Sequence, residues 1–122
     1  MARRNIWIKL INNGIAATTI GQSTEKLENL MLVMDYVGDG VDSAATMTVY
    51  TSKDTAGTVK AAVGIMPSLT GTRDAGGNID YATSNTTVAY EIPGRHQFIY
   101  IAITSVTDDV IINLWLGGTE EN

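Results

Sequence analysis

The stretch His96–Gly118, HQFIYIAITSVTDDVIINLWLGG, decides the fold class. Ile99, Ile101 and Ile103 alternate with Tyr100, Ala102 and Thr104. After Ser105-Val106-Thr107-Asp108-Asp109 the alternation resumes with Val110, Ile112, Leu114 and Leu116. Side chains two apart share one face of a strand, so the segment reads as two apolar β-strands joined by a polar turn, a hairpin. A hairpin this apolar, in a cysteine-free chain of 122 residues, points to a β-sandwich. A small sandwich with few candidate catalytic groups is expected to be a binding or building part rather than an enzyme.

Working outward, the same pattern recurs along the chain. Residues 4–11 place Ile6, Ile8 and Leu10 on one face, and Asn12-Asn13-Gly14 reads as a turn because Asn and Gly tolerate positive φ. A second strand is expected at 15–20. Residues 27–37 fit either a strand or a helical face through Leu27, Leu30, Met31 and Met34. The alternation of Leu30, Leu32, Met34 and Tyr36 favours a strand at 29–37. Further strands are expected at 44–52, 58–65 and 86–92, the last stopped by Pro93-Gly94. Residues 21–28 have room for one helical turn capped by Ser23 or Thr24. Pro67, Gly71, Asp74, Gly76 and Gly77 make 66–84 an exposed loop with short strand fragments, the kind of loop that often carries function. The sum is one all-β domain over residues 1–122, an antiparallel β-sandwich or jelly roll of about eight strands. A short N-terminal arm (1–5) and an acidic tail (119–122) flank it.

Composition narrows the function. The net charge is −5, with eight Lys and Arg residues. Nucleic-acid binding would need a basic surface to neutralise phosphates, so no nucleic-acid partner is expected. No segment approaches the ~20 apolar residues of a membrane-spanning helix. Ile6–Ile11 carries Lys9 and is too short and polar for a signal-peptide core, so synthesis in a cytoplasm, without export by this route, is expected. Without cysteine, disulfides and thiolate metal sites are excluded. Asn85-Thr86-Thr87 matches a glycosylation acceptor but reads more simply as a strand start.

Few residues suggest chemistry. His96 is the single histidine. Catalysis there would need a nucleophile and an orienting acid, for which Ser105 and Asp108 are the sequence neighbours, yet no known arrangement is present. A solvated residue at a strand end is the simpler reading of His96. Asp39 and Asp42 in Gly38-Asp39-Gly40-Val41-Asp42 could supply oxygens to calcium, but the regular spacing and the bidentate Glu are missing. No cofactor or metal is therefore expected. The aromatic residues are more informative. Trp7 lies opposite Ile6 and Ile8 in strand alternation, and Trp115 lies opposite Leu114 and Leu116. If the aliphatic set is core, both indoles face outward or into an interface. Tyr50 and Tyr100 follow the same rule, and a second reading, with some of these faces inside the sandwich, stays open.

Three segments, Leu30–Gly40 (LMLVMDYVGDG), Thr46–Asp54 (TMTVYTSKD) and Phe98–Gly118, together resemble a layout found in small tailed-phage virion proteins of the decoration, cement or head-fibre type. The chain departs from that layout at Asp54-Thr55-Ala56-Gly57, where Asp-Gly is usual. The resemblance implies a homotrimer on the outer surface of a phage head, held to the major capsid protein through many symmetric contacts. It carries over no individual functional residue. The residues expected at a capsid or subunit interface are Arg3, Arg4, Trp7, Tyr100 and Trp115: two guanidinium forks and three aromatic anchors. The alternative is a carbohydrate-binding module in which Tyr81, Tyr90 or Trp115 stacks on sugar. A β-sandwich enzyme is the least supported reading.

Overall fold

The computed structural model of the chain describes residues 3–38, 42–63, 66–67, 72–73, 79–81, 85–107 and 109–121. The expected strands form, and the boundaries move by a few residues. They are β1 (Arg3–Gly14), β2 (Thr18–Ser23), β3 (Leu27–Gly38), β4 (Ala45–Ser52), β5 (Lys60–Ala62), β6 (Met66–Pro67), β7 (Thr72–Arg73), β8 (Ile79–Tyr81), β9 (Thr86–Glu91), β10 (Phe98–Thr104) and β11 (Val110–Glu121). Three of these, β6, β7 and β8, are the fragments expected within 66–84. Of the strand expected at 58–65, β5 covers Lys60–Ala62, and the Val63 amide still donates to the Val49 carbonyl at 2.9 Å; 64–65 lie outside the described residues.

The strands make two antiparallel sheets. The first runs β1-β11-β3-β9-β6; the second runs β2-β10-β4-β8-β7, with β5 added beside β4. Successive long strands alternate between the sheets, which is the jelly-roll arrangement of two interleaved Greek keys. This corrects one reading of the sequence. The apolar run His96–Gly118 is not a hairpin within one sheet. β10 lies between β2 and β4, whereas β11 lies between β1 and β3. Each strand has one apolar face, and the two faces meet across the core instead of lying side by side. The connection turns sharply at Ser105 (φ 54°) and Asp109 (φ 64°). Thr107 anchors it to the start of β4: its amide donates to the Ala44 carbonyl at 3.1 Å, and its hydroxyl accepts from the Ala44 amide at 2.8 Å.

The core is the set that the alternation selects. Leu30, Leu32, Met34 and Tyr36 of β3 and Ile112, Leu114 and Leu116 of β11 are buried from one side. Ile99, Ile101 and Ile103 of β10 and Met47 and Val49 of β4 are buried from the other. Each fully buried aliphatic contributes roughly 1.5–3 kcal/mol relative to exposure. In β1, Ile6, Ile8 and Leu10 are only partly buried against this core. A bulge between Lys9 and Ile11 then turns Ile11 fully inward. Asn13, expected in a tight turn, instead takes its φ of 51° at a second irregularity inside β1.

Two further expectations are overturned. The 21–28 segment forms no helix: β2 runs to Ser23, and a turn follows in which the Leu27 amide donates to the Thr24 carbonyl. The Thr24 hydroxyl donates instead to the His96 carbonyl at 2.7 Å. Nor are 3–5 and 119–121 free ends. Arg3, Arg4 and Asn5 pair in register with Glu121, Glu120 and Thr119, so arm and tail are one antiparallel ladder. The backbone hydrogen bonds available to both segments explain this, because opposite charges alone hold exposed ends weakly.

Candidate functional site

The most developed surface lies on the outer face of the first sheet. Outward positions on neighbouring strands are brought together by register. Trp7 of β1 sits opposite Gly117 of β11, and Lys9 sits opposite Trp115. Trp115 also neighbours Val33 of β3, and Asp35 of β3 neighbours Thr87 of β9. The Trp7 indole lies flat on Gly117: a Cβ there would meet three carbons of its six-membered ring at 2.6–2.8 Å. Only glycine permits that approach. One face of the ring is thereby fixed to the sheet, and the residue remains 55% exposed. The Lys9 ammonium stands 4.8 Å from the Trp115 ring centroid, within cation–π range. At the far side, the Thr87 hydroxyl donates to the Asp35 carboxylate at 3.1 Å. Trp7, Trp115, Val33, Asp35 and Thr87 enclose a shallow depression of about 530 Å³.

The second sheet's outer face is covered by the chain itself. Residues 53–59, between β4 and β5, fold back over it. Gly57 sits against the Tyr100 ring, and the Thr55 carbonyl lies so close to Gly21 that no side chain fits there. The Lys60 ammonium is 5.3 and 5.4 Å from the Tyr50 and Tyr100 rings and donates to the Gly57 carbonyl at 3.1 Å. Tyr100 therefore faces outward, as the alternation requires, but beneath this loop and on the sheet opposite Trp7 and Trp115. The five residues expected at one interface do not form one patch.

Arg3 and Arg4 already have carboxylate neighbours. Arg4 pairs with Glu120 at 2.9 Å, and Glu28 lies between Arg3 at 3.7 Å and Arg95 at 3.6 Å. A cleft of about 450 Å³ opens beside Glu28, Asn29, Glu91 and Arg95. Asn29 takes φ 54° there, where β3 slips by a residue against β11.

Tyr81 and Tyr90 cannot stack on a sugar as the sequence suggested. They are 5% and 0% exposed, and their hydroxyls lie 2.6 Å apart inside the core. Burial and the neighbouring Tyr90 push the Tyr81 phenol far above its ordinary value. His96 lies just before β10, as expected of a strand-end residue, and is half-buried with both ring nitrogens engaged. Its Nε2 donates to the Pro93 carbonyl at 2.7 Å, which leaves Nδ1 to accept from the Thr51 hydroxyl at 2.9 Å. Ser105 stands beyond the other end of β10, a strand ~20 Å long at the rise of extended backbone. Asp108 and Asp39 lie outside the described residues, and Asp42 is exposed. Among the described residues, no three potential ligands gather into a metal site. Asn85 uses its side chain locally, accepting from the Gly38 amide at 3.1 Å.

Sequence reasoning found both indoles but missed Gly117, Val33 and Thr87 and the place of Asp35 beside them. Their grouping depends on cross-strand register, for which the chain carries no local signal. The glycine interrupting the apolar end of β11 was the one available clue, since strand glycines often mark close approach.

No family model and no curated protein matches the chain. Among solved structures, a prophage-derived protein shares its fold, and two others resemble it less. The SPBc2 prophage-derived protein YomS superposes with a TM-score of 0.58 at 12% identity, covering 97% of this chain and 96% of that one. A protein of the Bacillus endospore appendages, described as disulfide-linked pili, gives 0.47 at 15% identity, covering 98% and 86%. The baseplate tripod of bacteriophage Tuc2009 gives 0.35 at 11% identity, covering 98% and 64%. The likeness to the prophage protein extends over the full length of both chains and is a likeness of fold.

Proposed function

We propose that this chain is a structural virion protein, a decoration or cement protein bound to the outer surface of a phage head. The observation that carries the reading is the open side of the sandwich. β1 and β2 are the edge strands of the two sheets and follow one another in the chain. β1 is 12 residues long, beyond the usual 3–10, and offers its outer row of backbone groups to a further strand. Between the two edges Ile6, Ile8, Leu10 and Ile20 remain only partly covered. An apolar seam beside a long free edge suits a second subunit, which would extend the sheet and close the core. A trimer built this way would meet the major capsid protein at several points. Each contact can be weak, because linked contacts raise the effective concentration of the rest. The full-length fold match to a prophage-derived protein supports a phage setting.

Two measurements test it. Light scattering after size exclusion, at two dilute concentrations, should give a species near 39 kDa, about three times the 13.0 kDa chain. Immunogold labelling of intact particles, purified from cells that carry the gene, should mark the heads. Labelling absent from every particle fraction would overturn the proposal.

A further inference from the structure

We infer that the outer face of the first sheet binds glycans, with Trp7 as a stacking platform and Asp35 as the hydroxyl acceptor. The inference concerns a different surface from the β1–β2 side and stands whether or not the chain rides on a particle. Four observations converge on it. First, Trp7 is immobilised before any ligand arrives. Gly117 holds one face of its ring and the other is open, so ordering the indole on binding costs little. Second, Trp115 lies on the adjacent strand, next to Val33, and continues the floor, with the Lys9 ammonium 4.8 Å from its ring centroid as a hydrogen-bond donor beside it. Third, the floor ends at a polar pair. Asp35 receives one hydrogen bond from Thr87, and a carboxylate has about four acceptor sites, so capacity remains for ligand hydroxyls. Fourth, the depression is shallow and open and spans four strands, about 14 Å at ordinary strand spacing, so an elongated ligand can lie across it.

These features select the occupant. A ligand here must present an apolar face to the indoles and hydroxyl donors at its edge, the chemistry of a pyranose ring. A flat platform running in one direction across the sheet favours a ribbon-like chain. β-1,4-linked oligosaccharides with equatorial substituents have that shape and leave their C–H faces exposed, whereas α-linked chains coil. Nucleobases also stack, but phosphates approaching a chain of net charge −5 meet repulsion. A protein partner is disfavoured because the centres of protein interfaces are depleted of charge, and Asp35 stands within this floor. The other sheet's aromatic pair, Tyr50 and Tyr100, provides an internal contrast. There, residues 53–59 of the chain fill the equivalent space.

The test is a calorimetric and tryptophan-fluorescence titration of the full chain with cellohexaose, chitohexaose and, as the coiled control, maltohexaose. Saturable binding of at least one β-linked hexasaccharide is expected, with a change in indole emission. Trp7→Ala should weaken it by at least about tenfold, the loss of one aromatic stacking contact. Asp35→Asn should weaken it less, and Tyr100→Phe should leave it unchanged. Circular dichroism melting of each variant separates lost binding from lost folding. Three results would overturn the inference: no saturable binding of any β-linked hexasaccharide at millimolar concentration, binding of maltohexaose alone, or β-linked binding that survives Trp7→Ala undiminished.

Discussion

Gly57 rests on the ring of Tyr100 with a backbone φ of 69°, and a Cβ at this position would stand 2.7 Å from the ring. That contact holds the 53–59 loop down on the second sheet and leaves the first sheet as the bare one. It depends on glycine twice, once for the left-handed backbone and once for the space.

Gly57→Ala should therefore destabilise the fold by about 1–3 kcal/mol through backbone strain and overpacking. Urea denaturation measures this. A loss below half a unit on that scale would mean that the loop lifts off at little cost. Exposure of Tyr100 to solvent quenchers would then rise without a matching change in midpoint.

The same loop has an acid-sensitive anchor. Asp54 accepts from the Thr58 amide at 2.9 Å. That backbone hydrogen bond, with smaller contributions from the Thr58 side chain and the amides of Gly57 and Ala56, holds its carboxyl below the usual carboxylate range. A lowered folded-state pKa gives an interaction present above the unfolded pKa and lost as pH falls through the folded one. Amide exchange at Thr58 should accelerate at acid pH, once intrinsic rates are divided out, before the core strands open. Asp54→Asn should show the faster exchange already at neutral pH.

How much could be read from the sequence follows from which interactions are local. Alternation in Leu30–Tyr36, Ile99–Ile103 and Val110–Leu116 is a property of neighbouring residues, and it located the strands and their buried faces correctly. With the aliphatic faces in the core, the same alternation puts Trp7 and Trp115 on the outer face, the one of two open readings that the structure selects. Sheet membership is not local. Nothing in Ser105–Asp109 distinguishes a hairpin turn from a crossing between sheets, because both need a sharp reversal, and the crossing wins by burying two apolar faces against each other. Tyr81 and Tyr90 were misplaced for a related reason. A tyrosine on a strand can face water or the core, and these two are tolerated inside because each hydroxyl finds the other. The pairing joins β8 of one sheet to β9 of the other, so no single segment contains the signal.

That buried pair has measurable consequences. Tyr90→Phe leaves the Tyr81 hydroxyl without the partner 2.6 Å away, and should cost about 1–3 kcal/mol. Burial raises the phenol pKa of both Tyr36 and Tyr81 above the ordinary value. Raised folded-state values mean that stability is complete below the unfolded phenol pKa of about 10 and declines as pH rises above it. Denaturation midpoints should hold near pH ~8 and fall by pH ~11, while absorbance titration of the folded protein shows fewer than all five tyrosines ionising. Complete, reversible ionisation of all five with the fold intact would contradict the buried assignment.

The ladder that joins the two chain ends separates stability from docking. Arg4 and Glu120 lie on directly paired residues and meet at 2.9 Å, yet the Arg4 side chain is 62% exposed. Arg3 is 53% exposed beside Glu28. Solvent screens such pairs, so Arg3→Ala combined with Arg4→Ala should change folding stability by less than about 1 kcal/mol. The backbone register of Arg3–Asn5 with Thr119–Glu121 holds the ends without them. On a particle the balance differs. Both guanidinium groups sit at the N-terminal end of the edge strand β1, more than half exposed, and can exchange an internal carboxylate for one on a neighbouring subunit, an exchange that retains the charge pairing and adds a bidentate geometry. The double variant should thus fold normally but dissociate from particles faster, in a salt-dependent way. Unchanged occupancy across a salt series would remove this edge from the proposed docking surface.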